Sequence, residues 1–555
     1  MRRITALVLF SSVACTSSGA GIAPPLETIY FPTGLALSKD SRFLYVANSD
    51  FDLQYNSGTL QSLDMEHIRT LVPRGCNSDA DCSSVQYCDL PADNSAPIDH
   101  SFWCVDRSGT NAGLPCGTLG ERSDSERTIE PGRCSAVDLI HPPDGGATLF
   151  TDAVEIGAFA TDAIVRQWPE SSQVSERLFI PVRGDASLNW ADVSTDGKFD
   201  CGQGTSVSCN DAHRIGRDAS SNSRGLVLPP EPYAIDATAD ASSIVLTHQT
   251  QGAVSLLHND WQAGPNLEFV YTGLPPMPIA VKAVPQPAVV TTGLYAMTPG
   301  FLVAYETTAR MDLFRYLSDA QSTPQRPYLE LTASASIAIN SGGYDVRGLA
   351  IDDSERRNCE QSVAATNETC SSSCSTSTAE PTTCLSTCNA QNASALLKCA
   401  NVPLRVYASS RSPASLLIGQ TSANAALTPN NDLPYFNDAF PLPTGPSRIQ
   451  IAHIINTNNE VETRILIVSF DSRRIAVFDP ARKNIETLIT TGRGPQAIVE
   501  DFVAPSADDP GHALVVVGHF TDSYLAVIEL DRRRGRSYGT IVLSLGAAIP
   551  PRTSK

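Results

Sequence analysis

The sequence predicts an all-β fold, a seven-bladed β-propeller, with six or eight blades as the alternatives. Three observations carry that expectation. A pair of short apolar strands joined by a tight polar turn recurs seven times along the chain. Successive copies start about 50 to 65 residues apart once two cysteine-rich stretches are set aside, at or above the upper end of the spacing for a four-stranded blade. Several third strands end on an acidic residue before a turn: Asp64, Asp192, Asp479 and Asp531.

Residues 32–64 set the grammar, PTGLALSKDSRFLYVANSDFDLQYNSGTLQSLD: an inner strand, a Ser-Lys-Asp turn, a second strand at 43–47 and a third at 59–63. The second and third strands then recur at 177–182 and 187–191, 243–247 and 253–257, 301–305 and 311–316. They continue at 404–408 and 414–418, 464–469 and 475–478, 514–518 and 524–530. β-Branched and aromatic runs bounded by Gly, Asp and Ser are the strand signal each time. A proline opens several inner strands, as in Pro32-Thr-Gly-Leu-Ala, Pro232-Tyr-Ala-Ile, Pro278-Ile-Ala-Val and Pro495-Gln-Ala-Ile. Residues 67–72 read as the outer strand of blade one and 539–545 as an outer strand near the C-terminus. The latter, or the apolar run at 26–31, is expected to complete a blade begun by the other terminus and so remove an exposed sheet edge.

These phrases, above all Phe43-Leu-Tyr-Val-Ala-Asn48, resemble the YVTN-type repeat of the lactonase-like seven-bladed propellers. The resemblance covers about two thirds of the chain. It implies a hydrolase acting at the mouth of the propeller channel as one functional alternative, and it assigns no catalytic residue here.

The 555-residue chain is 42% hydrophobic and 18% charged, enough to bury a large core. Its net charge of −19 argues against nucleic acid or an anionic membrane surface as the main partner. Residues 1–25 read as an export segment and tether. Met1-Arg2-Arg3 is basic, residues 4–10 are apolar, and Ser12-Val13-Ala14-Cys15 resembles a bacterial lipobox with serine in place of the usual leucine. The resemblance implies cleavage before Cys15 and diacylglycerol on its sulfur; an ordinary secretory signal is the alternative. No apolar run is long enough to span a bilayer. The expected address is the bacterial outer membrane or periplasm, with the membrane reached through the lipid alone.

Fourteen further cysteines fall in three even clusters, as disulfides formed in an oxidising compartment would. The first is Cys76, Cys82, Cys88, Cys104, Cys116 and Cys134; the second is Cys201 and Cys209; the third is Cys359, Cys370, Cys374, Cys384, Cys388 and Cys399. The first and third read as insertions, at 75–135 between blades one and two and at 356–402 within blade five. The propeller occupies 26–546, with a tail at 547–555. In the third cluster, Cys370-x3-Cys374 and Cys384-x3-Cys388 each place two sulfurs on one helix face. This resembles the twin CX3C helical hairpin, which implies Cys370 with Cys388, Cys374 with Cys384, and Cys359 with Cys399. A four-thiolate zinc site is the alternative. By strand count, the first insertion is expected on the face of the between-blade loops. The second insertion and the Cys201–Cys209 loop are expected on the opposite face.

Candidate chemistry is sparse. Asp192-x-Ser194-x-Asp196-Gly197-x-x-Asp200 matches half of a calcium loop but has Gln203 where the closing glutamate belongs, and an Asp-Gly turn explains the same letters. Asp79, Asp81, Asp89 and Asp93 in the first insertion read as solvated acids. Arg532, Arg533, Arg534 and Arg536 read as a charged turn. None of the nine histidines sits in an HExxH or paired ligand motif, and neither a GxSxG elbow, a P-loop nor a dinucleotide fingerprint occurs. His248 and His519 end second strands, where either could face the channel. No cofactor or metal is expected. The sequence therefore predicts a non-catalytic, envelope-anchored propeller that recognises an envelope protein. The lactonase-like hydrolase and a structural protein without a discrete ligand are the alternatives. A channel lined by His, Asp and Glu would favour an enzyme, and an apolar, aromatic-rimmed face a protein partner.

Overall fold

The computed structural model describes residues 21–72, 75–76, 80, 86–89, 102–106, 136–142, 145–169, 174–288, 298–319, 326–339, 342–376, 381–422 and 432–546. Among the described residues seven sheets stand around a central channel, each with four antiparallel strands running from the channel outward. The second strands are the most apolar element of each blade. In blade one Phe43–Asn48 is buried at every position, because both of its faces pack against neighbouring blades. The seven apolar clusters among the described residues fall one in each of the seven interfaces between blades. The observed second and third strands match the sequence expectation in all seven blades.

The ring closes by side-chain packing. Leu44 and Val46 of blade one share a cluster with Val516, Leu525 and Val527 of blade seven. Blade seven completes itself with Ile541–Leu545, and residues 26–31 form no strand, so the expected composite blade is not there. Instead Ile29 and Phe31 are buried, and the Phe31 amide donates to Ser523 Oγ. A two-residue parallel pairing of Ala136–Val137 covers the outer edge of blade seven.

The proline phrase has a backbone cause. Phe31, Glu231, Met277, Gly445 and Gly494 each precede the inner-strand proline with positive φ. In each case the carbonyl of that residue accepts from the first amide after the second strand: Ser49, Gln249, Glu306, Phe470 and Phe520. Phe159 and Arg183 repeat the arrangement in blade two without a proline. Six blades therefore carry the same clamp between the incoming connection and the turn beside it.

Blade one departs from the expectation. Residues 67–72 are not its outer strand, since Met65–Leu71 is a helix capped by Asp64, whose carboxylate accepts from the His67 amide. The outer strand is Phe150–Ile156, paired with Gly58–Asp64. The first insertion therefore lies within blade one, between its third and fourth strands, and not between blades one and two. Because strands alternate in direction, it leaves from the face that also carries first-to-second-strand turns. The blade-five hairpin leaves from that face too, so the two insertions share a face rather than opposing each other. Within the first insertion the structure describes a three-stranded sheet, Gly75–Cys76, Phe102–Asp106 and Gln86–Asp89. Cys15, Cys82, Cys116 and Cys134, and the side chains of Cys76, Cys88 and Cys104, lie outside the described residues.

The blade-five insertion is a helical hairpin, Ser354–Thr376 and Pro381–Ala400. Disulfides join Cys370 to Cys388, Cys374 to Cys384, and Cys359 to Cys399. All six thiols are thus consumed, which leaves no thiolate for the zinc alternative. Arg356 roots the hairpin by donating to the Pro285 and Val402 carbonyls (3.1 Å each). Cys201 and Cys209 are bonded in a loop that interrupts the outer strand of blade two, between Phe199–Asp200 and Arg214–Ile215. That loop pairs with Glu155 of blade one, so it lies on the rim of the disc and not on a face.

Candidate functional site

The inner strands of all seven blades line a channel cavity of about 750 Å³. Its wall mixes aliphatic side chains, including Leu35, Val165, Ile235, Val281, Leu349, Ile449 and Ile498, with charged ones. The charges on it are cross-braced. Arg448 of blade six spans the channel to Asp162 at the entry of blade two (Nη1 to Oδ2, 2.7 Å). Asp236 takes Arg166 at 2.9 Å and Lys282 at 3.6 Å, plus the amides of Ala237 and Ala283. Burial pushes the Asp236 carboxyl up, but the Lys282 and Arg166 cations and those amides outweigh it and hold it below the usual range. Arg411 pairs with Asp471 at 2.5 Å, and Arg347 with Asp345 and Glu306. Each channel carboxylate thus has an arginine partner.

Among the described residues no histidine lines the channel. His248 is buried in its blade, with Nε2 2.7 Å from Ser255 Oγ, and burial pushes its ring down to about 4. His519 is also fully buried, stacked on Tyr524 at 4.2 Å, and burial pushes it down to about 3. Neither faces the channel, because the ends of these second strands are covered by the clamps described above.

The half calcium-loop pattern at 192–200 is a turn. Asp192 is bound by Arg177 (2.7 and 3.0 Å), Asp196 by Ser194 and Lys198, and Gly197 turns the chain at φ +77°. The arginine run forms a 3-10 turn, Arg532–Ser537, in which Arg532 pairs with Glu486 and Arg533 with Asp531.

The two faces differ. One carries both insertions; the other carries an aromatic rim around the channel mouth. There Phe31 lies 5.0 Å from Phe520, Phe51 lies 5.1 Å from Phe520 and 5.9 Å from Phe159, and Phe470 lies 6.2 Å from Phe520. The loop bearing Phe51 is held by its own polar groups. Asp50 Oδ1 accepts from the Tyr55 amide, Asp52 Oδ1 accepts from the Gln54 amide, and the Tyr30 hydroxyl donates to Asp52. With its acids turned inward the loop projects Phe51 and Leu53 into solvent, 52% and 63% exposed. Sequence reasoning missed this rim. The available signal was a phenylalanine directly after, or close after, the second strand in blades one, six and seven, at 51, 470 and 520.

No known family profile matches the chain, and no curated protein matches it. Among solved structures, it is similar to a putative 6-phosphogluconolactonase from Bacteroides uniformis. Identity there is 11%, with 83% of this chain and 86% of that chain covered and a TM-score of 0.40. It is also similar to a periplasmic gluconolactonase from Pseudomonas aeruginosa, at 10% identity over 83% and 86% of the two chains, with a TM-score of 0.41. A third is Kuenenia stuttgartiensis hydrazine synthase, at 8% identity over 92% and 98%, with a TM-score of 0.43.

Proposed function

We propose that this protein is a non-catalytic recognition scaffold, exported and lipid-anchored at Cys15, which holds an envelope protein against its insertion-bearing face. One observation carries the reading: two cysteine-rich insertions, in blades one and five, rise from the same face of a rigid disc. Ordered excursions on a rigid scaffold are where binding concentrates. The hairpin stands on that face by its Arg356 root and exposes Leu385 and Leu397. The channel supports the same reading, since Asp162, Asp236 and Asp471 are each engaged by an arginine of the wall.

The test is capture from the native envelope with the full chain, beside a variant lacking residues 76–134 and one lacking residues 360–398. A partner held by the full chain and lost with either deletion supports the proposal and locates the contact. A partner retained by both deletions, or hydrolysis of lactones by the purified chain, would overturn it.

A further inference from the structure

The chain enters the propeller on the aromatic face. The Asn56 amide donates to the Ile22 carbonyl (3.0 Å), which sets residues 21 and 22 beside the 49–57 loop. Ile22 is 69% exposed, and with Phe51 and Leu53 it places three large apolar side chains in water at one edge of the aromatic rim. Exposed apolar side chains gathered beside one loop offer a candidate contact surface.

The length of chain ahead of the patch limits what can contact it. Gly21 lies six residues after Cys15, and six residues span at most roughly 20 Å when fully extended. A compact domain of about 100 residues is roughly 30 Å across. With Cys15 held in lipid, no such domain fits between the aromatic face and the bilayer, whereas the bilayer surface itself lies within reach.

We propose that, beyond the lipid on Cys15, the protein seats Ile22, Phe51 and Leu53 in the headgroup–acyl boundary of a membrane, so that the aromatic face lies on the bilayer and the insertions point away from it. This rests on the lipid-anchored reading above. Shallow burial of aromatic and aliphatic side chains at this boundary adds the binding that a single anchor needs to hold one orientation. The chain carries −19, so the surface it fits is zwitterionic.

The experiment uses the full chain purified with its native N-terminus and inserted into phosphatidylcholine–phosphatidylethanolamine vesicles. Mass spectrometry of the N-terminal peptide reports whether Cys15 carries lipid. Phe51→Trp adds a reporter on the aromatic face, and Leu385→Trp adds one on the hairpin. With brominated phosphatidylcholine, the emission added by Phe51→Trp is expected to fall at least twofold, and that added by Leu385→Trp by less than one tenth. No quenching of Phe51→Trp overturns the proposal, as does equal quenching of both. A blue shift of Phe51→Trp that needs envelope protein and not vesicles also overturns it, and gives the patch to a protein. A second form, with hexahistidine replacing residues 1–15 and bound to nickel-chelating lipid, separates the two readings. Quenching there with an unlipidated native N-terminus keeps the seat and removes the anchor. A lipidated Cys15 with quenching in neither form keeps the anchor and removes the seat.

Discussion

Arg177 is the most demanding single side chain in the propeller, and replacing it should cost more than removing any channel ion pair. It is 1% exposed and donates to both oxygens of Asp192 (2.7 and 3.0 Å), to Asn259 Oδ1 (2.8 Å), and to the Asp260 and Trp261 carbonyls (2.9 and 3.0 Å). Its guanidinium also lies 4.3 to 5.3 Å from the rings of Trp168, Trp190 and Trp261. These partners belong to blades two and three, so the residue joins two sheets. Arg177→Met keeps much of the volume but leaves a largely buried carboxylate and three acceptors unpaired. Stranding one member of a buried pair costs about 3–5 kcal/mol, and the partial exposure of Asp192 argues for the lower half of that range. The measurement is the guanidinium chloride midpoint at constant slope. The double variant Arg177→Met/Asp192→Asn should recover about 1–2 kcal/mol by removing the stranded charge. The reasoning is refuted if Arg177→Met unfolds within about 1 kcal/mol of the native chain, since the five bonds would then do no more than water does.

Three further outcomes follow from the same packing. Burial pushes Glu529 from its ordinary 4.5 up to about 7, so between those values the folded protein keeps a proton that the unfolded chain releases. Stability therefore falls as pH rises through that window. Glu529→Gln, which retains an acceptor for the Asp531 amide, should match the native chain at pH 4 and exceed it by roughly 3 kcal/mol at pH 8; equal midpoints at both pH values would exclude a buried acid. Gly445 sits at φ +76°, and a Cβ there would lie 2.3 Å from Asp471 Oδ2, so Gly445→Ala should lose about 2 kcal/mol through left-handed strain and displacement of Asp471 from Arg411. The hairpin helices expose most of their residues, so reducing their disulfides should abolish their helical circular dichroism while amide exchange in the blades is unchanged; retained helicity after complete reduction would show a packing core that the structure lacks.

The blades were legible because a doubly packed strand leaves an almost continuous apolar run, as at 43–48 and 514–518, and the turns beside them are marked by Asp, Ser and Gly. The outer strands were not, because they are half-exposed and weakly patterned. Phe150–Ile156 carries Asp152 and Glu155 and lies more than 80 residues beyond the strand it pairs with. Residues 67–72 offer a competing apolar run, but Asp64 before them caps a helix. A strand at 67–72 would put the first insertion on the face opposite to the one it leaves from. In the candidate site, the cysteines of the hairpin were readable from spacing. The braced channel was not, because Arg448 and Asp162 are 286 residues apart and meet only once the ring has closed.

That the insertions share a face has a physical reason in the repeat itself. On the aromatic face, six incoming connections are clamped: a left-handed residue turns its carbonyl onto the amide that follows the second strand. Lengthening either partner there would break a buried hydrogen bond, release an inner strand that braces the channel, and open the interface with the next blade. On the other face, the connections are turns whose tips already lie in solvent, as at Ser38–Ser41 and Thr238–Ala241, and each closes on its own strands. A loop can be lengthened there at the modest cost of closing a longer segment. The clamp thus leaves one face fixed and free for a flat contact, and the other open to elaboration. If this is the cause, inserting a ten-residue Gly/Ser segment between Asp240 and Ala241 should leave the unfolding midpoint within about 1 kcal/mol of native. The same segment between Gly494 and Pro495 should cost several times more, and equal costs at the two sites would show that the clamps do not set where the chain can grow.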